Sequence, residues 1–141
     1  MARYLWLFTA VVGTWVVYSF AAQGRIFMAV FFAVVNAALV WWVSPFRGGI
    51  SPKHAEVMRR PQSEREVVIY WRPGCQFCGR LKWRLGACGQ QAIWVNIWQD
   101  KEAAQFVRSN NEGNETVPTV VMDGSVITNP DPELVLTRLT A

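Results

Sequence analysis

Two cysteines that lie three positions apart, Cys75 and Cys78, follow a short apolar run and an Arg-Pro-Gly turn. A pair with this spacing can be half of a zinc site, a structural disulfide or a redox-active dithiol. Zinc is a poor interpretation, because the chain has three cysteines and its one histidine, His54, lies well upstream in a polar segment. A disulfide over so few residues closes a very small loop and constrains the unfolded chain little. We therefore interpret the pair as redox-active.

The predicted secondary structure puts this pair where a strand passes into a helix. Val67–Trp71 is a β-branched and aromatic run typical of a buried strand, and a helix is predicted from about Gln76 to Ala87. The first sulfur then precedes the first helical turn, where unpaired N–H groups and the positive end of the helix dipole stabilise a thiolate. The second sulfur lies one turn further in and is shielded. We expect Cys75 to be the nucleophile and Cys78 the resolving thiol.

Cationic side chains surround the pair in the sequence. Arg72, Arg80 and Lys82 are expected to favour the thiolate, although each of them is also a plausible surface charge. In motifs of this kind the thiol pKa falls from ~8.5 to about 3.5–7.5. Cys88 continues the inward face of the helix, which Gly89 is expected to end. We interpret Cys88 as a packing residue, with a regulatory thiol as the alternative.

The rest of the C-terminal half predicts a small mixed sheet. Strands are expected at Ala92–Trp98, at Thr119–Met122 and, after the hairpin-turn sequence Asp123-Gly124, at Ser125–Thr128. A helix follows Asp100, which can cap it, and the last helix begins near two prolines with either of two residues as its cap, Asn129 or Asp131. The order is βαβαββα. A strand–helix–strand unit is parallel and the final hairpin antiparallel, so we predict an α/β fold with one mixed four-stranded sheet.

A second motif, Thr116-Val117-Pro118, leads into the third strand. Proline is the residue for which a cis peptide bond costs only ~0.5–1 kcal/mol, and a cis bond before Pro118 would turn the Val117 backbone groups toward a bound chain. A ligand could then pair with this segment as an added strand beside Cys75. The alternative is a proline that merely marks the edge of a strand.

Together, "CQFC" and "TVPT" make residues 67–139 resemble the glutaredoxin branch of the thioredoxin fold. The longer string "NNEGNETVPTVVMDGSVITNP", residues 110–130, resembles more narrowly the mycoredoxins of actinobacteria, which use mycothiol in place of glutathione. The resemblance implies that Cys75 attacks the mycothiol sulfur of a protein–mycothiol mixed disulfide. A second mycothiol then releases the first one, or Cys78 closes an internal disulfide. No tightly bound cofactor is implied, only a low-molecular-weight thiol as co-substrate.

The same resemblance implies a set of substrate-binding residues. Phe77 matches the aromatic position between the cysteines, Thr116, Val117 and Pro118 match the ligand-pairing segment, and Arg72 adds charge. Two departures are visible. Glutaredoxins commonly have Pro-Tyr between the cysteines, where this chain has Gln76-Phe77.

The second departure concerns the thiol itself. A Gly-Gly-x-Asp-Asp segment binds the γ-glutamyl end of glutathione in glutaredoxins, and this chain has residues 126–130, Val-Ile-Thr-Asn-Pro, in that region. Since mycothiol has no γ-glutamyl group, this departure is an argument against glutathione as the co-substrate and is compatible with mycothiol. Thr128 and Asn129 become candidate contacts to the sugar-containing thiol. Their alternative role is helix capping.

The N-terminal third has a different composition. No residue from Tyr4 to Ala22 is charged, and Asn36 is the one strongly polar side chain between Ile26 and Val43. At about 1.5 Å rise per residue, each run makes a helix of roughly 27–28 Å, close to the ~30 Å hydrocarbon core of a bilayer. We predict two membrane spans, about 4–22 and 26–43, that form a tight hairpin. A cleaved signal peptide is the alternative for the first run.

The distribution of Lys and Arg predicts the orientation of this hairpin. The N-terminus has Arg3 and the connecting loop has Arg25, whereas five cations follow the second span: Arg47, Lys53, Arg59, Arg60 and Arg65. Such an excess marks the cytoplasmic side, so both termini are expected there. These cations could also contact the lipid bilayer. No aromatic-rich basic groove accompanies the charge, and we therefore expect no nucleic-acid partner.

These observations predict three regions: a transmembrane hairpin at 1–45, a juxtamembrane linker at 46–65 in which His54 is solvated, and a glutaredoxin-like domain at 66–141. The predicted function is that of a membrane-anchored, cytoplasmic thiol–disulfide oxidoreductase acting on oxidised or thiolated proteins. Three alternatives remain. They are a dithiol reductase fed by a thioredoxin-type donor, an iron–sulfur carrier in which Cys75 of two subunits holds a cluster, and a non-catalytic binding module on an anchor.

Overall fold

A computed structural model describes residues 4–141, so the predicted contribution of Arg3 to orientation lies outside the described residues. Within them the chain divides into two compact units, with the boundary between Arg47 and Gly48. The first unit contains two helices, α1 (Leu5–Ala22) and α2 (Ile26–Val43). Both are long and apolar enough to cross a membrane, as predicted from composition.

The two helices of the first unit form a hairpin that packs through small and aromatic side chains. A Cβ atom at Gly13 would overlap the side chain of Asn36, so α1 and α2 approach closely where α1 has no side chain. Phe20 stacks on Phe32 with ring centroids 5.1 Å apart. The absence of a side chain at Gly13 is therefore what lets the two helices approach at this point.

The second unit is built from four strands and four helices. The strands are β1 (Val67–Trp71), β2 (Ile93–Asn96), β3 (Thr119–Met122) and β4 (Ser125–Thr128), and the helices are α3 (His54–Arg59), α4 (Gln76–Leu85), α5 (Lys101–Ser109) and α6 (Pro132–Thr140). The sheet has the order β2-β1-β3-β4. β1 pairs with β2 in parallel, whereas β1 with β3 and β3 with β4 are antiparallel. The predicted mixed four-stranded α/β fold is confirmed.

Alternate side chains of β1 point to opposite faces of the sheet and divide the core in two. Val68 and Tyr70 join a cluster with residues of α3 and α5. Val67 and Ile69 join a second cluster with residues of α4 and α6. All four strand side chains are at most 1% exposed. These four positions of β1 thus hold residues that remove apolar surface from water.

Some predicted boundaries were wrong by a few residues. The helix α4 ends at Leu85 and not at Ala87, because Gly86 adopts a positive φ of 51° that closes the helix, and a 3₁₀ turn follows over Gly86–Gln90. Of the two candidate caps for α6, Asp131 is the one used, since its carboxylate accepts the Glu133 N–H at 2.9 Å.

The prediction that His54 is a solvated linker residue is wrong. His54 is half-buried, and its Nδ1 lies 2.7 Å from the hydroxyl of Tyr70, which is itself fully buried. The His54 N–H also donates to one carboxylate oxygen of Asp100 at 2.6 Å, while the other oxygen accepts the Glu102 N–H at 3.1 Å. One side chain therefore caps both α3 and α5, and joins the segment before β1 to the domain.

Residues 48–65 also cover the outer edge of the sheet, which is β2. Ser51 Oγ accepts the Asn96 N–H of β2 at 2.7 Å, and the Gln99 side-chain amide bridges the Ser51 N–H and the Gly49 carbonyl. Val57, on α3, is fully buried in the core. We call residues 48–65 the clasp. Its contacts supply partners to an edge strand that would otherwise present unpaired backbone groups.

Candidate active site

The nucleophile predicted from the sequence lies at the junction of β1 and α4. Pro73 and Gly74 turn the chain out of the sheet, and Cys75 takes the N-cap position of α4 with an extended backbone. Its Sγ accepts the backbone N–H of Cys78 at 3.2 Å. The sulfur thus occupies the place that a serine or aspartate oxygen takes in an ordinary N-cap, next to the positive end of the helix dipole.

These surroundings favour the thiolate of Cys75. The hydrogen bond from the Cys78 thiol is the largest cause and lowers the pKa of Cys75 to about 6, against a smaller opposing effect of burial. The backbone N–H groups of Cys78 and Phe77 and the charge of Arg72 act in the same direction as the thiol. At neutral pH most of Cys75 is therefore ionised and nucleophilic.

The second cysteine has the opposite environment. Cys78 is 3% exposed and packs in the core cluster shared with Tyr70 and Val117. Its hydrogen bond to Cys75 raises the pKa of the Cys78 thiol well above its usual range, and burial raises it further. The pair thus consists of one ionised, half-buried sulfur and one protonated, buried sulfur that donates to it.

The three cations predicted to surround the pair have separate positions. Arg72, half-buried, lowers the pKa of Cys75 by its charge. Lys82 instead lies over the rings of Trp71 and Trp94, with its Nζ 5.9 and 5.8 Å from their centroids. Arg80 lines a cleft on the surface, described below. Only the first of the three is among the charges that act on the Cys75 thiol.

The Thr116-Val117-Pro118 segment lies against the nucleophile. The Cys75 thiol donates to the Val117 carbonyl at 3.3 Å, and the Val117-Pro118 peptide bond is cis. Two hydrogen bonds hold the segment: the Thr119 hydroxyl donates to the Thr116 carbonyl at 2.7 Å, and the Asn129 N–H donates to the Pro118 carbonyl at 2.7 Å. Thr116 is exposed, whereas Val117 and Pro118 are buried.

A cleft of about 200 Å³ opens between the start of α4 and the segment that leads into α6. Its walls include Phe77, Arg80, Pro118, Asn129 and Pro130. Of the residues predicted to contact the thiol, the cleft therefore contains Phe77, Pro118 and Asn129. Thr128 is not among its walls, and the Thr128 hydroxyl donates to the side chain of Asn111.

Sequence reasoning missed two features of this site. Asn111, to which no site role was assigned, connects Val107, Thr119 and Thr128 through its side-chain amide. Arg80 was considered for its charge alone, and its place in the cleft was not foreseen. Both depend on how α4, α5 and the β3–β4 hairpin pack, and no local pattern in the sequence marks them. Cys88, half-buried in the 3₁₀ turn, lies outside the cleft walls.

Comparison with known proteins gives a consistent result. Residues 67–127 match the family model of glutaredoxin. A protein of Mycobacterium tuberculosis H37Rv that is provisionally named a glutaredoxin, Rv3198A, is 43% identical over 74 residues, which cover 52% of this chain and 88% of that protein. Mycoredoxin 1 of Corynebacterium glutamicum is 38% identical over 76 residues, which cover 53% of this chain and 94% of that protein.

The fold, the family match and the near-complete coverage of both relatives agree, although the matched region leaves out the helical hairpin. Members of this family exchange disulfides with a low-molecular-weight thiol as co-substrate. The family match, together with relatives that are 38% and 43% identical and covered over 94% and 88% of their length, places the chain in the glutaredoxin family, and it is a thiol–disulfide oxidoreductase.

Proposed function

We propose that this protein is a membrane-anchored oxidoreductase that reduces protein–mycothiol mixed disulfides, with Cys75 as nucleophile and Cys78 as resolving thiol. The observation that supports these roles is that the two sulfurs differ in pKa and in burial. Cys75 accepts hydrogen bonds at the start of α4 and has a pKa lowered to about 6, whereas Cys78 is buried and holds its proton.

The chemistry begins with attack by the Cys75 thiolate on the mycothiol sulfur of the mixed disulfide. A Cys75–mycothiol disulfide forms, the bond between mycothiol and the target protein breaks, and the target leaves as a thiolate that takes up a proton. A second mycothiol, as thiolate, then attacks the sulfur of the bound mycothiol. Oxidised mycothiol leaves and the Cys75 thiolate is restored, so two electrons have passed from the small thiol to the target.

Cys78 supplies a second route when the bound disulfide is not released by a small thiol. The Cys78 thiol gives up its proton, attacks the Cys75 sulfur and displaces the bound group as a thiolate. An internal Cys75–Cys78 disulfide results, which two further small thiols reduce. The first forms a mixed disulfide with Cys75 and frees Cys78, and the second attacks the bound small thiol, so that the oxidised small thiol leaves and Cys75 is restored. Because burial disfavours the Cys78 thiolate, we expect this route to be slower than release by free thiol at high thiol concentration.

The thiol is proposed to bind in the cleft beside Cys75. Phe77 and Pro118 supply apolar walls, and Arg80 and Asn129 supply polar groups. Once Cys75 ionises it no longer donates to the Val117 carbonyl, which then becomes an acceptor for the backbone of a bound ligand. Thr116 extends this segment at the surface. The absence of a glutathione-binding acidic pair and the similarity to a protein named mycoredoxin favour mycothiol over glutathione.

The proposed anchor is supported by how α1 and α2 expose their side chains. Helices of equal hydropathy in a soluble protein are mostly buried, whereas here 0% and 6% of the two spans are buried. Rings near the span ends, including Tyr4, Trp41 and Trp42, suit the headgroup region. The cations from Arg47 to Arg65 favour a cytoplasmic position for the catalytic domain.

A reduction assay on the full-length protein in detergent tests the proposed chemistry. The substrate is a protein–mycothiol mixed disulfide, with mycothiol or glutathione as donor, and the enzymes are wild type, Cys75→Ser and Cys78→Ser. We expect no turnover by Cys75→Ser, partial turnover by Cys78→Ser and a preference for mycothiol. Full activity of Cys75→Ser would refute the assignment of the nucleophile.

A labelling experiment on intact cells tests the proposed orientation. A membrane-impermeant thiol reagent should modify Cys75 after the cells are opened and leave it unmodified before. Modification in intact cells would place the domain on the outer side and overturn the cytoplasmic assignment.

A further inference from the structure

The chain around the active site has an unusual charge balance. From Val67 to Gln99 it contains four cationic residues and no aspartate or glutamate. The four are Arg72, Arg80, Lys82 and Arg84. Three of them lie on α4, the helix that begins at Cys75. A surface that carries one sign of charge attracts partners of the other sign.

The outer face of α4 adds exposed aromatic side chains to this charge. Phe77 is 59% exposed and Trp83 is 78% exposed, although the opposite face of the helix, with Leu81 and Leu85, is fully buried. Arg80 lies three residues from each aromatic residue, and side chains three apart are neighbours on a helix. Phe77, Arg80 and Trp83 thus form a continuous stripe, which we call the α4 stripe.

Arg80 is the cation of the stripe, and the charged groups near it are those of Arg84, Lys82 and Asp131. Arg84 is paired with Glu133 of α6 at 2.7 Å, and Lys82 lies over two tryptophan rings on the other side of the helix. Asp131, in the cleft wall, uses its carboxylate as the cap of α6. Among the described residues, no ion pair involves Arg80.

We propose that the α4 stripe is a docking surface for protein substrates, and that it selects those with acidic residues beside the oxidised cysteine. This inference rests on the proposed function and names the substrate class of that same site. Phe77 and Arg80 line the cleft beside Cys75 and also belong to the stripe. The leaving sulfur of a substrate chain is bonded to the small thiol in this cleft, so the chain emerges beside Phe77 and Arg80 and continues along the stripe toward Trp83.

The composition of the stripe fits this role. Tryptophan and arginine are the residues most enriched among those that carry the binding energy of protein interfaces. Complementary charge raises the association rate and rejects partners of the same sign. The same two chemistries would also suit anionic lipid, but continuity with the reacting sulfur favours a protein occupant. The redox step is unchanged, since the stripe only holds the target while Cys75 attacks the small-thiol sulfur.

The test compares two peptides that differ only in charge. Each carries one cysteine as a mixed disulfide with mycothiol, flanked by glutamates in one peptide and by lysines in the other. With the full-length protein in detergent, we expect kcat/KM to be about tenfold higher for the acidic peptide at low salt, and the two values to converge at high salt. Equal values at low salt would overturn the proposal.

Substitution of Trp83 tests docking on the stripe without changing the cleft, because Trp83 is not one of the cleft walls. Trp83→Ala should raise KM for the acidic peptide about fivefold, with kcat little changed, and Trp83→Phe should restore most of the loss. Reduction of the small mixed disulfide of mycothiol with cysteine should stay at the wild-type rate. As a control, Ile50→Ala removes another exposed apolar side chain, outside α4. It should change neither the KM for the acidic peptide nor the rate with the small mixed disulfide. A Trp83→Ala enzyme with wild-type peptide kinetics would overturn the proposal.

Two further measurements separate the competing outcomes. Binding of fluorescent, cysteine-free versions of both peptides to the Cys75→Ser protein reports docking without turnover, so it answers the question even if the proposed reduction fails. Preferential binding of the acidic peptide supports the proposal. The second measurement uses nanodiscs that contain brominated lipid, and obtains the fluorescence of Trp83 as the difference between wild type and Trp83→Phe. Quenching of this fluorescence by the lipid would show that lipid occupies the stripe, and would overturn the proposal.

Discussion

The helical hairpin and the redox domain place their apolar side chains in opposite ways. In the domain, β1 side chains such as Ile69 and Tyr70 are fully buried. In the hairpin, side chains such as Phe8, Phe27 and Val34 are more than 60% exposed, and no α1 residue is buried. One unit therefore removes its apolar surface from water by folding on itself, whereas the other leaves its apolar surface outward, as the proposed membrane anchor requires.

The helix ends show the same contrast. In the domain, the side chains of Cys75, Asp100 and Asp131 cap α4, α5 and α6. Neither α1 nor α2 has a side-chain cap. Polar side chains at helix ends are useful where the ends meet water or a buried site. One of these caps has a proposed chemical role, since the capping atom of α4 is the sulfur that we propose as the nucleophile.

Removal of the hairpin should have the largest effect. The full-length protein is expected in the membrane fraction and to require detergent for extraction. A chain that begins at Gly48 should be soluble and should reduce a small mixed disulfide at the wild-type rate, because it keeps both core clusters. Fractionation and the reduction assay measure this. A Gly48 chain that sediments with membranes would show that the contrast between the two units is wrong.

A shorter chain tests where the domain begins. A protein that starts at Val67 keeps every strand but loses the clasp, including the buried Val57 and the partner of the Tyr70 hydroxyl. Loss of one large buried side chain typically costs about 2–5 kcal/mol. We therefore expect the free energy of unfolding, measured in urea, to fall by at least that amount relative to the Gly48 chain. Equal urea midpoints would mean that the clasp is a passive linker.

Matched leucine substitutions compare the two units directly. Leu81, on α4, is 1% exposed, whereas Leu39, on α2, is 50% exposed. Leu81→Ala should lower the free energy of unfolding of the domain by about 2–5 kcal/mol. Leu39→Ala should leave it unchanged. Thermal or urea unfolding of the full-length protein in detergent, followed by a signal specific to the domain, distinguishes the two. A similar loss from both would remove the distinction between inward and outward packing.

The smallest effect concerns the capping sulfur. Since the pKa of Cys75 is lowered to about 6, its alkylation rate should fall as the pH drops through about 6, where the thiolate is protonated. Against an ordinary thiol of pKa ~8.5, the lower intrinsic nucleophilicity of the thiolate leaves an advantage of about twofold at pH 7 and about twentyfold at pH 5.5. Rates of iodoacetamide labelling, read by peptide mapping, give the midpoint.

The variant Cys78→Ala is the matched control for the pH midpoint of Cys75 alkylation. It removes the thiol hydrogen bond that is the largest cause of the shift, so the pKa of Cys75 should rise and labelling at pH 6 should slow. A midpoint that stays near pH 6 in this variant would assign the shift to the helix start instead of the neighbouring thiol.

Much of the fold could be predicted because it depends on local pattern. The strand Val67–Trp71 has the predicted limits, and the hairpin around Asp123-Gly124 joins the two strands that were expected. Local chemistry also predicted the Asp100 cap. The predicted end of α4 was wrong because two residues competed for one role. Two glycines, Gly86 and Gly89, could each end α4, and the sequence alone does not decide which takes the positive φ.

The amino-acid sequence by itself determined the two apolar spans, the mixed sheet and the position of the cysteine pair at the start of a helix, because each follows from side chains near one another in the chain. Only the tertiary structure decided that the clasp belongs to the domain, since His54 and Tyr70 meet through folding. It also formed the cleft from α4 and the segment before α6. Residues distant in the chain become neighbours only when the sheet is assembled, and no local periodicity encodes those contacts.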